Sequence, residues 1–186
     1  MRRRLFLASS LLAASLLAAC SLLAPPSYTL SAAELQTIVA KSFPRSYPLL
    51  GLLQLDVQAP SLQLLPETNR IQATMRAEMS GKVLPHRLDG TMVLDFALRY
   101  SPADHSLRAT QVQVQSLQMN GLPEAMEAML HAYAPRAAEH AMEDVVVHTL
   151  RQEDLDRLDK AADLPATFQV TAEGLRIEFV KPQDAK

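Results

Sequence analysis

The stretch Arg-Ile-Gln-Ala-Thr-Met-Arg-Ala-Glu-Met at residues 70–79 alternates polar and apolar side chains without interruption. A period of two is typical of a β-strand that buries one face and exposes the other. The residues predicted to face the core are Ile71, Ala73, Met75, Ala77 and Met79. Because sheets with one solvated face are usually antiparallel, this stretch predicts a half-buried antiparallel sheet.

Similar alternation occurs on both sides of this strand. Residues 52–64 precede it, and residues 91–100 and 107–119 follow it. In the last of these segments the parity slips near Ser116-Leu117, which predicts a β-bulge or a bend. A closing hairpin is predicted around a turn at Glu173-Gly174. Its apolar residues are Phe168, Val170, Leu175, Ile177 and Phe179. The pattern therefore predicts a meander of four or five strands and a final hairpin.

A short N-terminal helix is predicted from a capping box, with Ser31 as the N-cap and Glu34 as the residue that reaches back to it. Phe43-Pro44 is expected to end this helix, since the residue before a proline is driven out of the helical region. Residues 45–51, with two prolines nearby at positions 44 and 48, are predicted to form a loop.

The longest predicted helix begins after Asn120-Gly121-Leu122-Pro123, where the missing N–H of proline costs nothing. Pro135 is expected to kink this helix or divide it. A short charged helix is predicted at residues 152–160. The apolar stripe of the long helix comprises Met126, Met129, Leu130, Tyr133, Ala137, Ala141, Val145 and Leu150.

These elements place the chain in the α+β class. The predicted architecture is a curved antiparallel sheet wrapped around a long C-terminal helix, together with a short N-terminal helix. The long helix is the only predicted element large enough to cover the apolar face of the sheet. Residues 29–182 are expected to form a single domain.

The N-terminus has the organisation of a secretory signal. Arg2-Arg3-Arg4 precedes the uncharged apolar run 5–17, which is too short to span a membrane as a mature helix. Leu17-Ala18-Ala19-Cys20 resembles the lipobox of bacterial lipoproteins. That resemblance implies a signal peptide at residues 1–19, an acylated Cys20, a tether at residues 20–28 and membrane attachment through acyl chains. Ser21 implies sorting to the outer membrane, where the domain would face the periplasm.

Charge and cysteine content narrow the possible functions. Without the three arginines of the leader, 15 basic and 20 acidic residues remain, a net charge of −5. A chain with this balance lacks the broad basic surface that binds nucleic acid or anionic headgroups. Cys20 is the only cysteine in the sequence, so an internal disulfide is excluded.

The order of these features resembles the YceB-like lipoproteins, a family of bacterial outer-membrane lipoproteins without an assigned activity. The resemblance rests on the lipobox, Tyr28-Thr29-Leu30-Ser31, the proline-rich loop, the long alternating strands and residues 120–123 before the long helix. It implies a fold similar to the tubular lipid-binding modules, which hold acyl chains between a sheet and a helix. The family offers no accepted catalytic residues.

Methionine is the residue that suggests a binding function. Seven methionines follow Met1, and most of them fall on a predicted apolar face. Methionine is flexible and polarizable, so it suits a wall that accepts varied apolar ligands. An ordinary core filled with methionine is the alternative. The residues predicted to line a hydrophobic site are Met75, Met79, Leu94, Phe96, Leu98, Met126, Met129 and Tyr133. With no tryptophan, such a groove would suit chains better than rings.

Catalytic and metal-binding patterns are missing from the sequence. The three histidines predicted on the long helix, His131, His140 and His148, do not form an HExxH or Glu-x-x-His motif. No Gly-x-Ser-x-Gly elbow occurs, and the five glycines are isolated. The sequence therefore predicts no catalytic residue, no metal and no cofactor.

The sequence is compatible with two main candidate functions. The first is a non-catalytic lipoprotein that binds a lipid or another hydrophobic molecule between the sheet and the long helix. The second is a structural or assembly lipoprotein with a closed core, which binds a protein partner. A hydrolase is disfavoured because no nucleophile and base have a suggestive spacing.

Overall fold

A computed structural model describes residues 25–49 and 51–180. The predicted signal peptide at residues 1–19, the acylation site Cys20 and most of the predicted tether lie outside these residues. In the part of the chain that is described, no helix is both long enough and apolar enough to cross a membrane.

In the described residues, ten strands form two antiparallel sheets. The larger sheet has the order β2-β3-β5-β6-β7-β8, and β4 also pairs with β5. It is strongly curled into a half-barrel. Its strands are β2 (Arg45–Leu49), β3 (Leu53–Val57), β4 (Ser61–Leu65), β5 (Arg70–Gly81), β6 (Leu88–Ser101), β7 (Ser106–Met119) and β8 (Val146–Thr149). The class is therefore α+β, as the sequence predicts.

The stretch at residues 70–79 forms the body of β5, and its apolar residues are in the core as predicted. None of Ile71, Ala73, Met75, Ala77 and Met79 is more than 3% exposed. Two consecutive strands pair with the same edge of β5 and are separated by a break at Pro60. β4 pairs with the first half of β5, and β3 pairs with the second half. A proline cannot donate to the ladder, so the break falls there.

The smaller sheet has the order β1-β10-β9 and joins the two ends of the described chain. Its strands are β1 (Ser27–Ser31), β9 (Ala166–Val170) and β10 (Gly174–Phe179). The predicted hairpin is thus present, but β1 takes residues that the sequence assigns to the tether and to the approach of the first helix. Tyr100 of β6 links the two sheets, since its ring meets that of Phe179 edge-on with centroids 5.2 Å apart.

Three helices pack with the sheets in the described residues: α1 (Ala32–Ala40), α2 (Glu124–Met142) and α3 (Gln152–Leu158). The capping box of α1 is confirmed, because the backbone N–H of Glu34 bonds to the Ser31 hydroxyl and the Glu34 carboxylate reaches back. α1 ends at Ala40, three residues before the predicted stop at Phe43.

The long helix lies in the middle of the chain, which corrects the predicted C-terminal position. The chain continues past α2 because its last hairpin pairs with β1. The helix also ends at Met142 and does not reach Leu150 as predicted, because Asp144 has a φ of 63° and the following residues pair with β7 as β8. Pro135 lies inside α2 without dividing it.

Two irregularities between β6 and β7 bend the larger sheet. The register shifts between Val93 and Leu94, opposite the segment just before Ser116, and again between Asp95 and Ala97. The predicted slip near Ser116-Leu117 corresponds to the first shift. At this bend Asp95 is 7% exposed and forms an ion pair with Arg70, so a charge pair occupies the otherwise solvated face.

Candidate functional site

Three adjoining apolar pockets lie in a row beneath α2. The outer pocket has a volume of about 270 Å³ and lies between α2 and the β2–β3 hairpin. The middle pocket, about 260 Å³, shares Pro48, Ala134 and Ala137 with the outer one. The inner pocket, about 60 Å³, shares Tyr47 and Met142 with the middle one. We call these three pockets together the α2 groove.

The groove exists because the helix presents small side chains to it. The middle pocket is lined on the helix side by Ala134, Ala137, Ala138, Ala141 and the flexible Met142. A leucine at any of the alanine positions would project into this space, whereas a methyl group leaves it open. Voids of this size are uncommon in protein interiors, which are packed about as densely as organic crystals. An alanine face above a curved sheet therefore produces a cavity that this chain does not fill itself.

The sheet side of the groove is apolar and deeply buried. Met79 lines the outer pocket, Met92 and Leu117 line the middle one, and Met75 lines the inner one. None of these four side chains is more than 4% exposed. Each pocket thus has one methionine on its sheet side, whose rotamers adjust to the shape of a neighbour.

The mouth of the groove is marked by exposed apolar side chains. The outer pocket is lined by Leu52, Val83, Met129 and Tyr133, which are 58%, 47%, 49% and 63% exposed. In the described part of the chain one further large apolar residue is exposed, Val146 at 39%, and it lines the inner pocket. Exposed apolar residues that gather around one opening indicate a ligand or a docking surface.

Two carboxylates hold the C-terminal half of α2 against the edge of β7. A Glu143 carboxylate oxygen accepts hydrogen bonds from the Thr110 hydroxyl (2.8 Å) and the Gln111 backbone N–H (3.1 Å). Its other oxygen accepts from the Val112 N–H (3.2 Å), and Glu139 accepts from the Val114 N–H (3.0 Å). Since β8 pairs only with the start of β7, these donors have no strand partner.

The hydrogen bonds change the acidity of Glu143. The Thr110 hydroxyl, and to a smaller extent the two backbone N–H groups, stabilise the carboxylate and lower the pKa of Glu143 below its usual value of 4.5. In the sequence, Glu139 and Glu143 are notable only because they lie close to His140. Their partners are backbone groups of a distant strand, so no local spacing could have revealed them.

The residues predicted to line a hydrophobic site divide between two pockets, with one exception. Met79, Met126, Met129 and Tyr133 line the outer pocket, and Met75, Leu94 and Phe96 line the inner one. Leu98 lies outside the groove: it pairs with Ala109 in the sheet and is 9% exposed. The β2–β3 hairpin, which supplies Pro48, Leu52 and Leu53, was missed as a wall because residues 45–51 read as a loop.

The histidines considered as metal ligands in the sequence do not come together at a metal site in the described part of the chain. His131 lies 3.7 Å from Glu127 on the exposed face of α2. His148, expected on the same helix, is in β8. Among residues 25–49 and 51–180, no group of three or more His, Cys, Asp or Glu side chains is arranged to hold a metal ion.

Neither a known protein family nor a curated protein matches this chain. Among solved structures, it is similar to a crystal structure of a lipopolysaccharide binding protein, with a TM-score of 0.34 and 13% sequence identity. The overlap covers 84% of this chain and 50% of the other, so this chain spans half the length of that protein. An overlap with so low a TM-score does not test the resemblance to the YceB-like lipoproteins, which stays a prediction.

Proposed function

We propose that this protein is a non-catalytic binder of a lipid or a similar hydrophobic molecule, whose hydrocarbon chain lies in the α2 groove. The observation that supports this most directly is the row of three adjoining pockets, whose walls are almost wholly apolar. Each pocket shares lining residues with the next, so an elongated ligand fits the geometry better than a compact one.

The size and polarity of the groove agree with this proposal. An engineered apolar cavity of about 150 Å³ stays dry and takes up benzene, and the outer and middle pockets are each larger, at about 270 and 260 Å³. Burial of apolar surface contributes roughly 25 cal/mol per Å², so a chain that fills the groove gains affinity along its whole length. The absence of tryptophan from the sequence favours an aliphatic ligand.

We further propose that the domain works at the periplasmic face of the outer membrane, anchored through an acylated Cys20. The support is the lipobox-like Leu17-Ala18-Ala19-Cys20. Since β1 begins at Ser27, only six residues would separate the acylated cysteine from the first strand. Such a short tether keeps the domain close to a bilayer, which is a source of lipid.

A second candidate function is a structural or assembly lipoprotein that binds a protein partner. The observation in its favour is the exposed apolar rim formed by Leu52, Val83, Met129 and Tyr133. A partner helix on this rim would cover it as a hydrophobic ligand would. The two functions differ in whether the space beneath Ala134 is used.

Titration with a fluorescent fatty acid, cis-parinaric acid, tests the first function. The protein is the chain from Ser21 onward, which contains every described element. We expect Ala134→Phe to reduce binding at least tenfold, because the new ring occupies the wall that the outer and middle pockets share.

Ala132→Phe is the matched control, since Ala132 is exposed on the same helix and lines none of the three pockets. Saturable binding that Ala134→Phe abolishes and Ala132→Phe leaves intact supports a lipid site in the groove. Absence of binding to the unmodified protein, or equal binding by all three proteins, rejects that site and favours the partner-binding function.

A further inference from the structure

A cleft with both polar and apolar walls adjoins the inner end of the α2 groove. It lies between α1 and β8, has a volume of about 600 Å³, and is lined on its apolar side by Ile38 and Val147. Ser42, Val146 and Val147 line both this cleft and the inner pocket of the groove. The apolar pockets beneath α2 thus have a partly polar cleft at one end and the exposed apolar rim at the other.

Two cationic side chains face this cleft. Lys41 is the C-cap residue of α1 and has no ion-pair partner within the described part of the chain. Arg151 follows β8, and its side chain is 63% exposed although its Nε contacts Asp154 at 3.4 Å. Both therefore keep donors that a ligand can reach, in a mature chain whose net charge is −5.

The acidic groups at the cleft have other partners. Glu34 closes the capping box of α1 with the Ser31 backbone N–H, at 2.9 Å. The Asp154 side chain is only 5% exposed, and it accepts from the Tyr28 hydroxyl at 3.3 Å in addition to Arg151. These carboxylates keep their negative charges, but their oxygens already accept hydrogen bonds, so the groups free to donate to a ligand are the cationic ends of Lys41 and Arg151.

His148 adds a buried polar atom at the same place. Its Nε2 is buried and has no hydrogen-bond partner among the described residues. Burial lowers the pKa of His148, and the charges of Arg151 and Lys41 lower it further while Asp154 opposes them. The fields of both cations therefore converge on this imidazole, which is neutral at physiological pH and keeps one N–H as a donor.

We propose that the cleft binds the anionic headgroup of an amphiphile, a carboxylate or a phosphate, whose hydrocarbon chain enters the α2 groove. This inference rests on the proposed function and adds a ligand class and an orientation to it. Lys41 and Arg151 contact the anion, and His148, which lines the same cleft, lies beside it. The chain then passes Val146 and Val147 into the inner pocket, where Met75 and Met142 adjust to make room.

Displacement of cis-parinaric acid by palmitate and by hexadecanol tests this inference, because the two competitors share a chain length and differ in the headgroup. We expect palmitate to be the stronger competitor for the unmodified protein. Lys41→Gln should weaken palmitate about fivefold, the upper range for one exposed charge contact, and leave hexadecanol unchanged.

Lys82→Gln is the matched control, since Lys82 is an exposed lysine next to Val83 at the other end of the groove. If Lys82→Gln weakens palmitate and Lys41→Gln does not, the headgroup lies at the outer mouth and the inference is overturned. Equal competition by palmitate and hexadecanol also overturns it, while the hydrophobic groove itself stands. Failure of both competitors to bind contradicts the proposed function instead.

Inorganic phosphate separates a headgroup site from a site for free anions. We expect phosphate to displace palmitate no better than chloride at the same ionic strength, since it gains nothing from the groove. Phosphate that protects the unmodified protein against thermal unfolding, and fails to protect the Lys41→Gln variant, would assign the cleft to free anions and overturn the headgroup assignment.

Discussion

Glu139 in the last turn of α2 and Glu143 at its C-cap occupy positions where acidic side chains usually face water. Here their carboxylates accept hydrogen bonds from backbone N–H groups of Val114, Gln111 and Val112. An unpaired strand edge attracts other strands, and proteins commonly cover or charge such edges. The two carboxylates cover this one, and they also fix the height of α2 above the sheet.

Replacement of Glu143 by glutamine should lower the free energy of unfolding at neutral pH by about 1 kcal/mol. An amide offers a single acceptor oxygen, whereas the carboxylate accepts from Thr110 and two backbone groups. Urea unfolding followed by circular dichroism measures the change. Glu127→Gln on the exposed face of the same helix is the control and should have almost no effect.

The effect of Glu143 should depend on pH in a defined direction. Its pKa in the folded protein is below the ordinary 4.5, so the carboxylate contributes stability above that pH. This contribution is lost as the pH falls through the folded pKa. The difference between the unmodified protein and Glu143→Gln should therefore shrink below about pH 4.5. A difference that grows on acidification would contradict the hydrogen-bonding role.

At the scale of elements, periodicity predicted the strands whose own residues alternate between polar and apolar. β5 alternates along its 12 residues, and β6 and β7, each of 14 residues, alternate on either side of their bulges; such runs are typical of strands. The capping box at Ser31 and the turn at Glu173-Gly174 were also read correctly, because each is a local interaction. These elements account for most of the larger sheet and for the closing hairpin.

The missed strands are short and depend on distant partners. β2 contains Pro48, which argues against a strand, and it is tolerated because β2 is at the edge of the sheet. β8 has four residues within a run of valines that fits a helical stripe equally well. β1 is fixed only by its pairing with β10, more than 140 residues away. Local sequence contains none of this information.

α2 carries a proline within its span, above the groove. Pro135 has no N–H to donate to the carbonyl of His131, and an interior proline destabilises a helix by about 3 kcal/mol. We expect Pro135→Ala to raise the free energy of unfolding by about 1–3 kcal/mol. We also expect slower uptake of cis-parinaric acid, since a stiffer helix opens the groove less often.

Stopped-flow fluorescence and urea unfolding measure these two quantities. Pro123→Ala at the N-cap is the control, because a missing donor costs nothing at that position. A Pro135→Ala variant that is more stable and takes up the fatty acid at an unchanged rate would show that α2 does not gate the groove.

At the scale of the molecule, the groove arises where the larger sheet, including its β2–β3 hairpin, and the long helix do not fill the space between them. The sequence indicated an apolar wall rich in methionine, because alternation assigns each methionine to a face. It placed Ala137 and Ala141 on the helix stripe that faces the sheet, but it did not indicate that Ala134 and Ala138 join them or that the β2–β3 hairpin closes the side of the groove. Those relations depend on how the elements pack.

The methionines provide the most direct test of the central claim that the space beneath α2 holds a hydrocarbon chain. Of the seven that follow Met1, six line the groove and Met119 does not. The groove residues are Met75, Met79, Met92, Met126, Met129 and Met142. NMR spectra of the protein labelled with ¹³C-methyl methionine, recorded with and without palmitate, distinguish the two sets. We predict that the six groove methyl resonances shift in a saturable manner while that of Met119 stays in place. Unchanged resonances for all seven, or shifts as large for Met119 as for the others, would contradict the claim.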